Sequence, residues 1–393
     1  MDYDYLIVGA GIAGLHCALR ISKAFPKANI AIAEMYSYTG GRIFTFKGKG
    51  NQWEAGAGRI HSSHAITLKY IKDNGLTLLP IQGKAQWMSK GHVEEDIWPS
   101  ISKLITTSLS TLDPKALATN TIKDLVFDET LLHRFPYQAE VSTLRADLAI
   151  KSFEKEMGSE SFYVVKEGLS ELTDRIKGTL VKRGVKFLYN HRLISVDPFY
   201  FEITNQHSKY VTITANKAIL AVHCDALRGI SPFSNLPILK HLSMKPLLRT
   251  YGVFKEPLTI PRTITDSRLR YIIPVGKHVL MTSYTDAEDT AVWNKISKGG
   301  DRALSHEIMA DLKGLFPDLK QPTFFKSHYW KHGCSYWLPG LYDPKEESEK
   351  VMCPIPMKNP NIYVCGESYS LKQAWIEGAL EHAEDMLQKY ILS

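Results

Sequence analysis

The segment with the clearest chemical meaning is GAGIAG, residues 9–14. Glycine inside a helix or strand lowers stability, so Gly9, Gly11 and Gly14 in so short a stretch indicate that the backbone itself has a function there. The preceding YLIVGA is typical of a buried strand, and the following GLHCALRISKAF has the apolar spacing of a helix. This order predicts a dinucleotide-binding fingerprint, in which Gly11 lets the chain approach a pyrophosphate and the helix N-terminus offers N–H donors.

An acidic residue stands where such a fingerprint requires one. NIAIAE predicts a second strand that ends at Glu34, about 20 residues after Gly14. A carboxylate at this place accepts hydrogen bonds from the ribose hydroxyls of adenosine. The glycine spacing is compatible with NAD and with FAD, so other segments must distinguish the two cofactors.

Two further small-residue stretches follow the second strand. In GGRIFTF, Gly41 allows another close backbone approach, and Arg42 can bind a diphosphate through two hydrogen bonds. In EAGAGR, residues 55–58 would let a flat ring system lie against the backbone. The alternative for each stretch taken alone is an ordinary surface turn.

Together, GAGIAGL, Glu34, GGRI and EAGAGR resemble the flavin-containing amine oxidase family, which includes monoamine oxidases, polyamine oxidases and flavin lysine demethylases. YVCGE (363–367) resembles the family's strand end whose acid binds the ribityl chain. WIEGA (375–379) resembles the opening of its last helix, which faces the flavin pyrimidine. The resemblance implies FAD as the cofactor, bound by Gly9, Gly11, Ala13, Gly14, Glu34, Gly41, Arg42, Gly56, Ala57, Gly58, Arg59, Leu193, Gly366, Glu367, Trp375, Ile376 and Ala379.

The same resemblance implies the reaction. Family members oxidise the carbon next to an amine nitrogen, pass the electrons to oxygen with release of hydrogen peroxide, and produce an imine that hydrolyses to an aldehyde. They hold the amine between two aromatic rings, which attract a substrate ammonium by cation–π contact. Trp375 stands at the position of one ring. In KHGCSYWLPG, Tyr336 is the first choice for the other ring and Trp337 is the second.

One position departs from the family pattern. Counting back from KEP in LLRTYGVFKEP places Arg249 where many members have a lysine that holds a water near the flavin. Arginine stays protonated and is a poor base, although it can orient a water or stabilise reduced, anionic flavin. Lys245 has the same strand parity, but the intervening Pro246 weakens that inference. The candidate catalytic residues are therefore Arg249, Trp375, Tyr336 and Lys245.

The function stays open at three points. A flavin desaturase or protoporphyrinogen-oxidase-like enzyme shares the FAD segments but usually lacks the aromatic pair, and Arg249 favours a catalytically altered FAD-binding protein. Cys334 is either an unmodified buried thiol or a covalent flavin attachment of the kind some family members have. The acidic cluster of Asp286, Glu288 and Asp289 is either a solvated loop or a group that attracts the distal ammonium groups of a polyamine.

The composition limits the partners and the location. Of 393 residues, 44% are hydrophobic and 23% are charged, which is the balance of an ordinary globular protein. No stretch has the apolar length of a membrane span, and the net charge of +7 is dispersed, so neither a membrane nor a nucleic acid is expected. Five scattered cysteines favour a reducing compartment, and the histidines suggest no metal site. We predict a cytoplasmic monomer or homodimer that acts on a small-molecule amine and oxygen.

Patterns typical of buried strands, like the one before GAGIAG, recur in the centre and at the end of the chain. VKFLYN, a hairpin ending in YVTIT, a separate strand KAILAVH and the final NIYVCGE all read as strands. The expected fold class is α/β, with a discontinuous Rossmann-like FAD-binding domain and a mixed α+β substrate domain of the amine oxidase kind. The predicted FAD-binding domain comprises 1–75, 161–240 and 331–393, and the substrate domain comprises 76–160 and 241–330.

Overall fold

The computed structural model describes residues 2–81, 83–89, 91–157, 161–196, 198–207, 209–353 and 361–393. The strands in chain order are β1 Asp2–Val8, β2 Ile30–Glu34, β3 Thr45–Gly48, β4 Asn51–Glu54, β5 Ile60–His61, β6 Leu78–Pro80, β7 Ala85–Ser89, β8 His92–Glu94, β9 Phe162–Val165, β10 Lys186–Tyr189, β11 His191–Val196, β12 Phe199–Ile203, β13 Tyr210–Leu220, β14 Leu242–Val253, β15 Arg262–Thr265, β16 Tyr271–Pro274, β17 Val279–Asp286, β18 Phe324–Trp337 and β19 Ile362–Val364.

The α-helices in chain order are α1 Ile12–Ala24, α2 Ala65–Asp73, α3 Trp98–Leu104, α4 Pro114–Thr119, α5 Ile122–Leu125, α6 Glu129–Leu132, α7 Gln138–Ser142, α8 Ala146–Met157, α9 Ser170–Lys182, α10 Cys224–Arg228, α11 Thr290–Ser297, α12 Asp301–Leu315, α13 Pro344–Met352 and α14 Ile376–Tyr390. In the described part of the chain, none of the helices combines the length and the apolar character that crossing a membrane requires.

The chain divides into two compact units, each assembled from separate stretches of sequence. The first unit contains Met1–Ile81, Ser161–Ser243 and Tyr342–Ser393, and the second contains Gln82–Glu160 and Met244–Leu341. Residues 331–341, which the sequence analysis places in the FAD-binding domain, belong to the second unit. They do so because residues 331–337 continue β18, which pairs with β14 in the sheet of that unit.

The first unit is built on a parallel sheet in the order β10–β2–β1–β13–β19. The crossover from β1 through α1 to β2 is the β–α–β unit that the sequence predicts. Helices α1, α9 and α14 contribute to one apolar core with the sheet. The sequence predicts YVTIT and KAILAVH as separate strands. In the structure, YVTIT and the first part of KAILAVH form one continuous strand, β13, because its first half pairs with β12 and its second half pairs with β1.

The second unit is built on a mainly antiparallel sheet in the order β18–β14–β17–β16–β15–β7–β8. The pairing of β14 with β17 places Arg249 opposite Tyr284 and Leu247 opposite Asp286. Helix α12 packs against this sheet and shares an apolar core with it that includes Leu248 and Trp293. Strands β14, β17 and β18 are the longest of this sheet, and α11 and α12 lie between β17 and β18 in sequence.

Candidate functional site

The glycines of the fingerprint loop perform different tasks. Gly9 has φ +103°, a conformation that side chains rarely adopt. A Cβ at Gly14 would lie 2.0 Å from the carbonyl oxygen of Gly9, so Gly14 permits the close packing of α1 on the loop. A Cβ at Gly11 would meet nothing within 4 Å. Helix α1 begins at Ile12, directly before Ala13, and no side chain caps its N-terminus. The loop therefore presents an open face with N–H groups, as a bound pyrophosphate requires.

Glu34 is fixed at the edge of this loop by the backbone. Its Oε2 accepts a hydrogen bond from the N–H of Ala10 at 2.8 Å, and its Oε1 accepts one from Tyr36 at 2.9 Å. Burial raises the pKa of Glu34, although these N–H groups act in the opposite direction. Each carboxylate oxygen keeps a further lone pair, so the geometry is suited to ribose hydroxyls.

The second glycine turn lies directly beside the first loop. The N–H of Gly40 donates to the carbonyl of Ala10 at 2.9 Å, and Gly40 forms an isolated bridge with Gly11. Gly41 has φ +59°, and a Cβ there would lie 3.3 Å from the Cα of Gly11. The two turns thus form one backbone cradle from segments that are separated by β2, and this cradle fits the diphosphate of a dinucleotide.

The small-residue run 55–58 holds this second turn in place. A Cβ at Gly56 would lie 2.0 Å from the carbonyl oxygen of Arg42, and the N–H of Ala57 donates to that same oxygen at 2.9 Å. A Cβ at Gly58 would lie 2.8 Å from the side chain of Glu54. Close packing within the protein therefore explains why glycine is needed at positions 56 and 58. The predicted role of these residues in accommodating a flat ring is a separate matter.

The predicted binding residues Arg42 and Glu367 meet in an ion pair. A guanidinium nitrogen of Arg42 lies 2.7 Å from Oε2 of Glu367, and the N–H of Ala374 donates to Oε1 at 2.7 Å. Glu367 follows Gly366, which has φ +131° at the end of β19. The pair connects the second glycine turn to the segment before α14, which brings two distant cofactor motifs to one place.

Glu377 is a site residue that the sequence analysis did not select. Its buried carboxylate accepts hydrogen bonds from the N–H of Ile66 at 2.9 Å and from the N–H and Oγ1 of Thr67 at 2.8 and 2.7 Å. These groups lie at the N-terminus of α2, so Glu377 fixes α2 against the start of α14. In WIEGA, Glu377 lies between Ile376 and Ala379, which are both buried. The residue type alone does not indicate that this carboxylate binds the N-terminus of α2.

Trp375 lies in an aromatic cluster at the start of α14. Its ring stacks on Phe162 with centroids 6.0 Å apart and an interplanar angle of 22°, and its edge contact with His64 has a centroid distance of 5.0 Å. The guanidinium carbon of Arg59 lies 5.2 Å from the Trp375 ring centroid and 4.9 Å from that of Phe162. His61 also contacts Phe162. No sequence motif indicated Phe162, which reaches the cluster through the pairing of β9 with β5.

Leu193, one of the predicted FAD-binding residues, is buried at the irregular point of the β11–β12 hairpin. The register of this hairpin shifts between Leu193 and Ser195. The turn that leads into β11 donates a hydrogen bond from the N–H of Asn190 to the carbonyl of Tyr36, just beyond Glu34. The hairpin therefore begins close to the end of β2, the strand that carries Glu34, the predicted ribose ligand.

In the second unit, Arg249 lies among aromatic groups. Its guanidinium carbon is 5.3 Å from the ring centroid of its cross-strand partner Tyr284. Burial acts to lower the pKa of Arg249, but the surrounding Tyr251, Tyr284 and Cys334 raise it overall. The side chain is thus a permanent cation, and it is unsuited to act as a base.

The other candidates of the second unit lie on β14 and on its neighbouring strand β18. Lys245 is half-buried, four positions before Arg249 on β14. Tyr336 is buried on β18, and burial raises the pKa of its hydroxyl well above the ordinary value. Trp337 is fully buried, and its carbonyl accepts a hydrogen bond from Arg145, which indicates a core residue. Trp375 and Tyr336, the predicted pair of rings, belong to different units.

The residues that the structure describes contain no group of three or more His, Cys, Asp or Glu side chains arranged to hold a metal ion. The two histidines of HSSH, His61 and His64, are buried in the aromatic cluster. His61 accepts or donates at Nδ1 with Ser63, and the N–H of His61 donates to Nδ1 of His64 at 3.2 Å. Their position in this cluster favours a role in lining the candidate site.

Comparison with known proteins gives consistent results. A family model described as flavin containing amine oxidoreductase matches residues 12–137 and 122–385. YobN of Bacillus subtilis (strain 168), named provisionally as an L-amino-acid oxidase, is 22% identical over 450 residues, which cover 96% of this chain and 92% of that protein. The L-amino-acid oxidase of Mus musculus is 44% identical over 75 residues, which cover 19% of this chain and 12% of that protein.

Solved structures of putrescine oxidase resemble the whole chain. The wild-type enzyme bound to putrescine has a TM-score of 0.75 at 15% identity and covers 100% of both chains. A double mutant of the same enzyme, redesigned for cofactor binding, has a TM-score of 0.76 at 16% identity and covers 99% of both chains. At this identity the likeness concerns the fold, and it confirms the fold class expected from the sequence.

Proposed function

Because the chain belongs to the flavin-containing amine oxidoreductases, which are FAD-dependent enzymes acting on amine donors, we propose that it oxidises a primary or secondary amine at the carbon next to nitrogen. Bound FAD supplies the two-electron oxidation, and oxygen takes up the two electrons and two protons to become hydrogen peroxide. The substrate loses a C–H and an N–H bond to become an imine, which water hydrolyses to a carbonyl compound and an amine or ammonia.

The observation that carries this proposal is the position of Trp375. The indole stands at the first residue before α14, eight positions after Glu367, in the segment where the family motif meets the flavin. Phe162 and His64 fix its orientation through ring contacts. We assign Trp375 to the wall of the amine site, where its aromatic ring excludes water from the reacting carbon.

Arg59 carries the proposal about the substrate class. Its guanidinium lies over the rings of Trp375 and Phe162, so a positive charge already occupies this part of the wall. A fixed cation repels the additional ammonium groups of a polyamine and attracts a carboxylate, which a guanidinium binds through two hydrogen bonds. This favours an amine that bears a carboxylate, as the names of the L-amino-acid oxidase relatives suggest, over the polyamine considered from the sequence.

Arg249 has a supporting role in this proposal. As a permanent cation it can orient a water or stabilise the negative charge of reduced flavin, but it cannot accept a proton. Lys245 and Tyr336 remain secondary candidates for the same region. If Arg249 makes reoxidation by oxygen ineffective, the chain is instead the catalytically altered FAD-binding protein considered from the sequence.

Peroxide release by the purified holoenzyme tests the proposal. We expect turnover with neutral L-amino acids and weaker turnover with monoamines, diamines and polyamines of similar length. Arg59→Gln should raise KM for amino acids at least about tenfold, as expected for a lost charged hydrogen bond, and should leave KM for a simple monoamine within about twofold. Arg302→Gln, an exposed arginine on α12, is the matched control and should change neither value.

The outcomes separate the alternatives. Turnover confined to polyamines, with Arg59→Gln improving it, would reverse the substrate assignment. A yellow protein without peroxide release on any amine would support the catalytically altered FAD-binding protein. Introduction of a C–C double bond into a substrate would support a flavin desaturase or protoporphyrinogen-oxidase-like enzyme.

A further inference from the structure

The second unit contains a cavity of about 140 Å³ to which the proposed oxidation assigns no role. Residues of α5, α6 and α7 line it, together with the turn 286–289 that ends β17. Its volume corresponds to about five molecules of liquid water, so it has room for a small organic ion.

A buried carboxylate borders this cavity. Asp286 is 4% exposed, and its Oδ1 accepts a hydrogen bond from the N–H of Ala139 at 3.0 Å. Its Oδ2 is buried and has no hydrogen-bond partner among the residues that the structure describes. A buried carboxylate oxygen without a donor costs free energy, so a donor that enters the cavity would relieve this cost.

Arg270, whose charge acts on Asp286, makes no hydrogen bond with this oxygen. The Nε of Arg270 lies 3.2 Å from Oδ2 of Asp289, and another of its guanidinium nitrogens donates to the carbonyl of His133 at 3.3 Å. Burial lowers the pKa of His133, so this side chain is neutral at neutral pH. The charged and titratable groups around Asp286 and the cavity are Lys123 on α5, Glu129 on α6, His133, Arg270, Tyr284, Glu288, Asp289 and Tyr336.

The surroundings select the chemistry of a ligand. Acidic groups outnumber basic ones at the cavity, which favours a cation. The described residues offer no metal-binding group, so a multivalent metal lacks its ligands. Leu132, Val141 and Ala287 add apolar surface to the lining. A cation with donor hydrogens at one end and a short alkyl group at the other satisfies both parts of the wall.

We propose that this cavity is a binding site for a small alkylammonium ion, whose N–H groups donate to Oδ2 of Asp286 while its alkyl group packs on Leu132 and Val141. This binding does not depend on the proposed function, because it rests only on Asp286 and on the lining of the cavity. Burial raises the pKa of Asp286 to about 7. Since the cation binds the ionised carboxylate, its affinity should rise with pH through this value.

The test uses the FAD-loaded full chain and tert-butylammonium chloride as the probe. This ion has no hydrogen on the carbon that carries nitrogen, so it cannot be oxidised. Isothermal calorimetry at about pH 8.5 should show saturable binding in the millimolar range, without a change in the flavin absorption spectrum. tert-Butanol, which is neutral and has the same shape, should not bind.

Asp286→Asn keeps an oxygen for the N–H of Ala139 but loses the charge, and it should weaken binding at least about tenfold. Asp318→Asn, an exposed aspartate of the same unit, is the control and should bind as the wild type does. If the asparagine variant does not fold, the wild type alone decides, because its affinity should fall several-fold between about pH 8.5 and pH 5.5. Equal binding by Asp286→Asn, pH-independent binding or no saturable binding would overturn the proposal.

Discussion

At the scale of single residues, the fingerprint glycines are not equivalent. Gly11 faces open space, where a ligand can approach, whereas Gly14 is enclosed by the backbone of Gly9. Of the glycines in this fingerprint, we therefore expect Gly11 to be needed for the approach of the ligand, whereas Gly14 is needed for the packing of the fold. Substitutions at the two positions should fail for different physical reasons.

Gly14→Ala should lower the free energy of unfolding by about 2–4 kcal/mol. The new Cβ would lie 2.0 Å from the Gly9 carbonyl oxygen, and a backbone atom cannot move aside cheaply. The purified variant should also have lost its flavin, because the displaced loop no longer accepts the diphosphate. Urea unfolding and the absorption spectrum measure both effects.

Gly178→Ala is the matched control for this substitution. Gly178 is exposed within α9, and a Cβ there would meet nothing within 4 Å. Alanine has the higher helix propensity, so stability should rise by about 0.5–1 kcal/mol with flavin retained. Similar stability of the two variants would contradict the assigned role of Gly14.

At the scale of elements, a partly buried chain of hydrogen bonds joins the first helix to the last. Nδ1 of His16 on α1 lies 2.7 Å from the hydroxyl of Tyr70, and Nε2 lies 2.7 Å from Oε2 of Glu384 on α14. The hydrogen bond with His16 lowers the pKa of Glu384 to about 2. The ionised carboxylate therefore stabilises the fold above its unfolded pKa, and this contribution is lost as the pH falls towards 2.

Glu384→Gln should lower the free energy of unfolding by about 1–2 kcal/mol at neutral pH. The difference from the wild type should shrink steadily below about pH 4.5, where the unfolded carboxyl becomes protonated. Guanidinium unfolding curves at several pH values measure this trend.

The control is Glu349→Gln, which removes a pair with Lys389 whose side chains are about half exposed. This change should cost less than about 0.5 kcal/mol. A pH-independent effect of Glu384→Gln would show that its carboxylate charge contributes nothing to the link between α1 and α14.

At the scale of the whole molecule, three distant stretches of sequence make one nucleotide-binding unit. The parallel sheet contains β1 and β2 from the start, β10 and β13 from the centre and β19 from the tail. The predicted cofactor-binding residues lie on all three stretches, so we expect FAD to bind the folded unit and not its separate parts. Ligand that binds only the native state stabilises it by mass action.

Free FAD at about 100 times its Kd should raise the stability of the flavin-depleted protein by about 2.7 kcal/mol. Calorimetric melting of the depleted and the reconstituted full chain measures this, with NAD as the control nucleotide. NAD should give no comparable shift. A colourless protein whose melting temperature FAD does not change would contradict the cofactor assignment for this chain.

Much of the site was predictable because its signals are local. Gly9, Gly11 and Gly14 stand between a buried strand and an amphipathic helix, and Glu34 closes the β–α–β unit that they begin. Such patterns depend on neighbouring residues, and backbone geometry alone makes them informative. The family, the FAD cofactor and the α/β fold class, all expected from these motifs, are confirmed by the comparisons. The roles of the individual residues stay predictions, both for the cofactor-binding residues and for Arg249, Lys245, Tyr336 and Trp375.

The sequence by itself determined the family, the FAD cofactor and the α/β fold class, since glycine spacing and an acid at a strand end report local backbone form. Which residues contact the phosphates stays a prediction. Only the tertiary structure decided that Arg59 and Phe162 surround Trp375 and that Glu377 fixes α2. Glu377 and Thr67 are 310 residues apart in sequence. Contacts over such distances depend on how the segments pack, and no local pattern of residue types records which side chain will supply the partner.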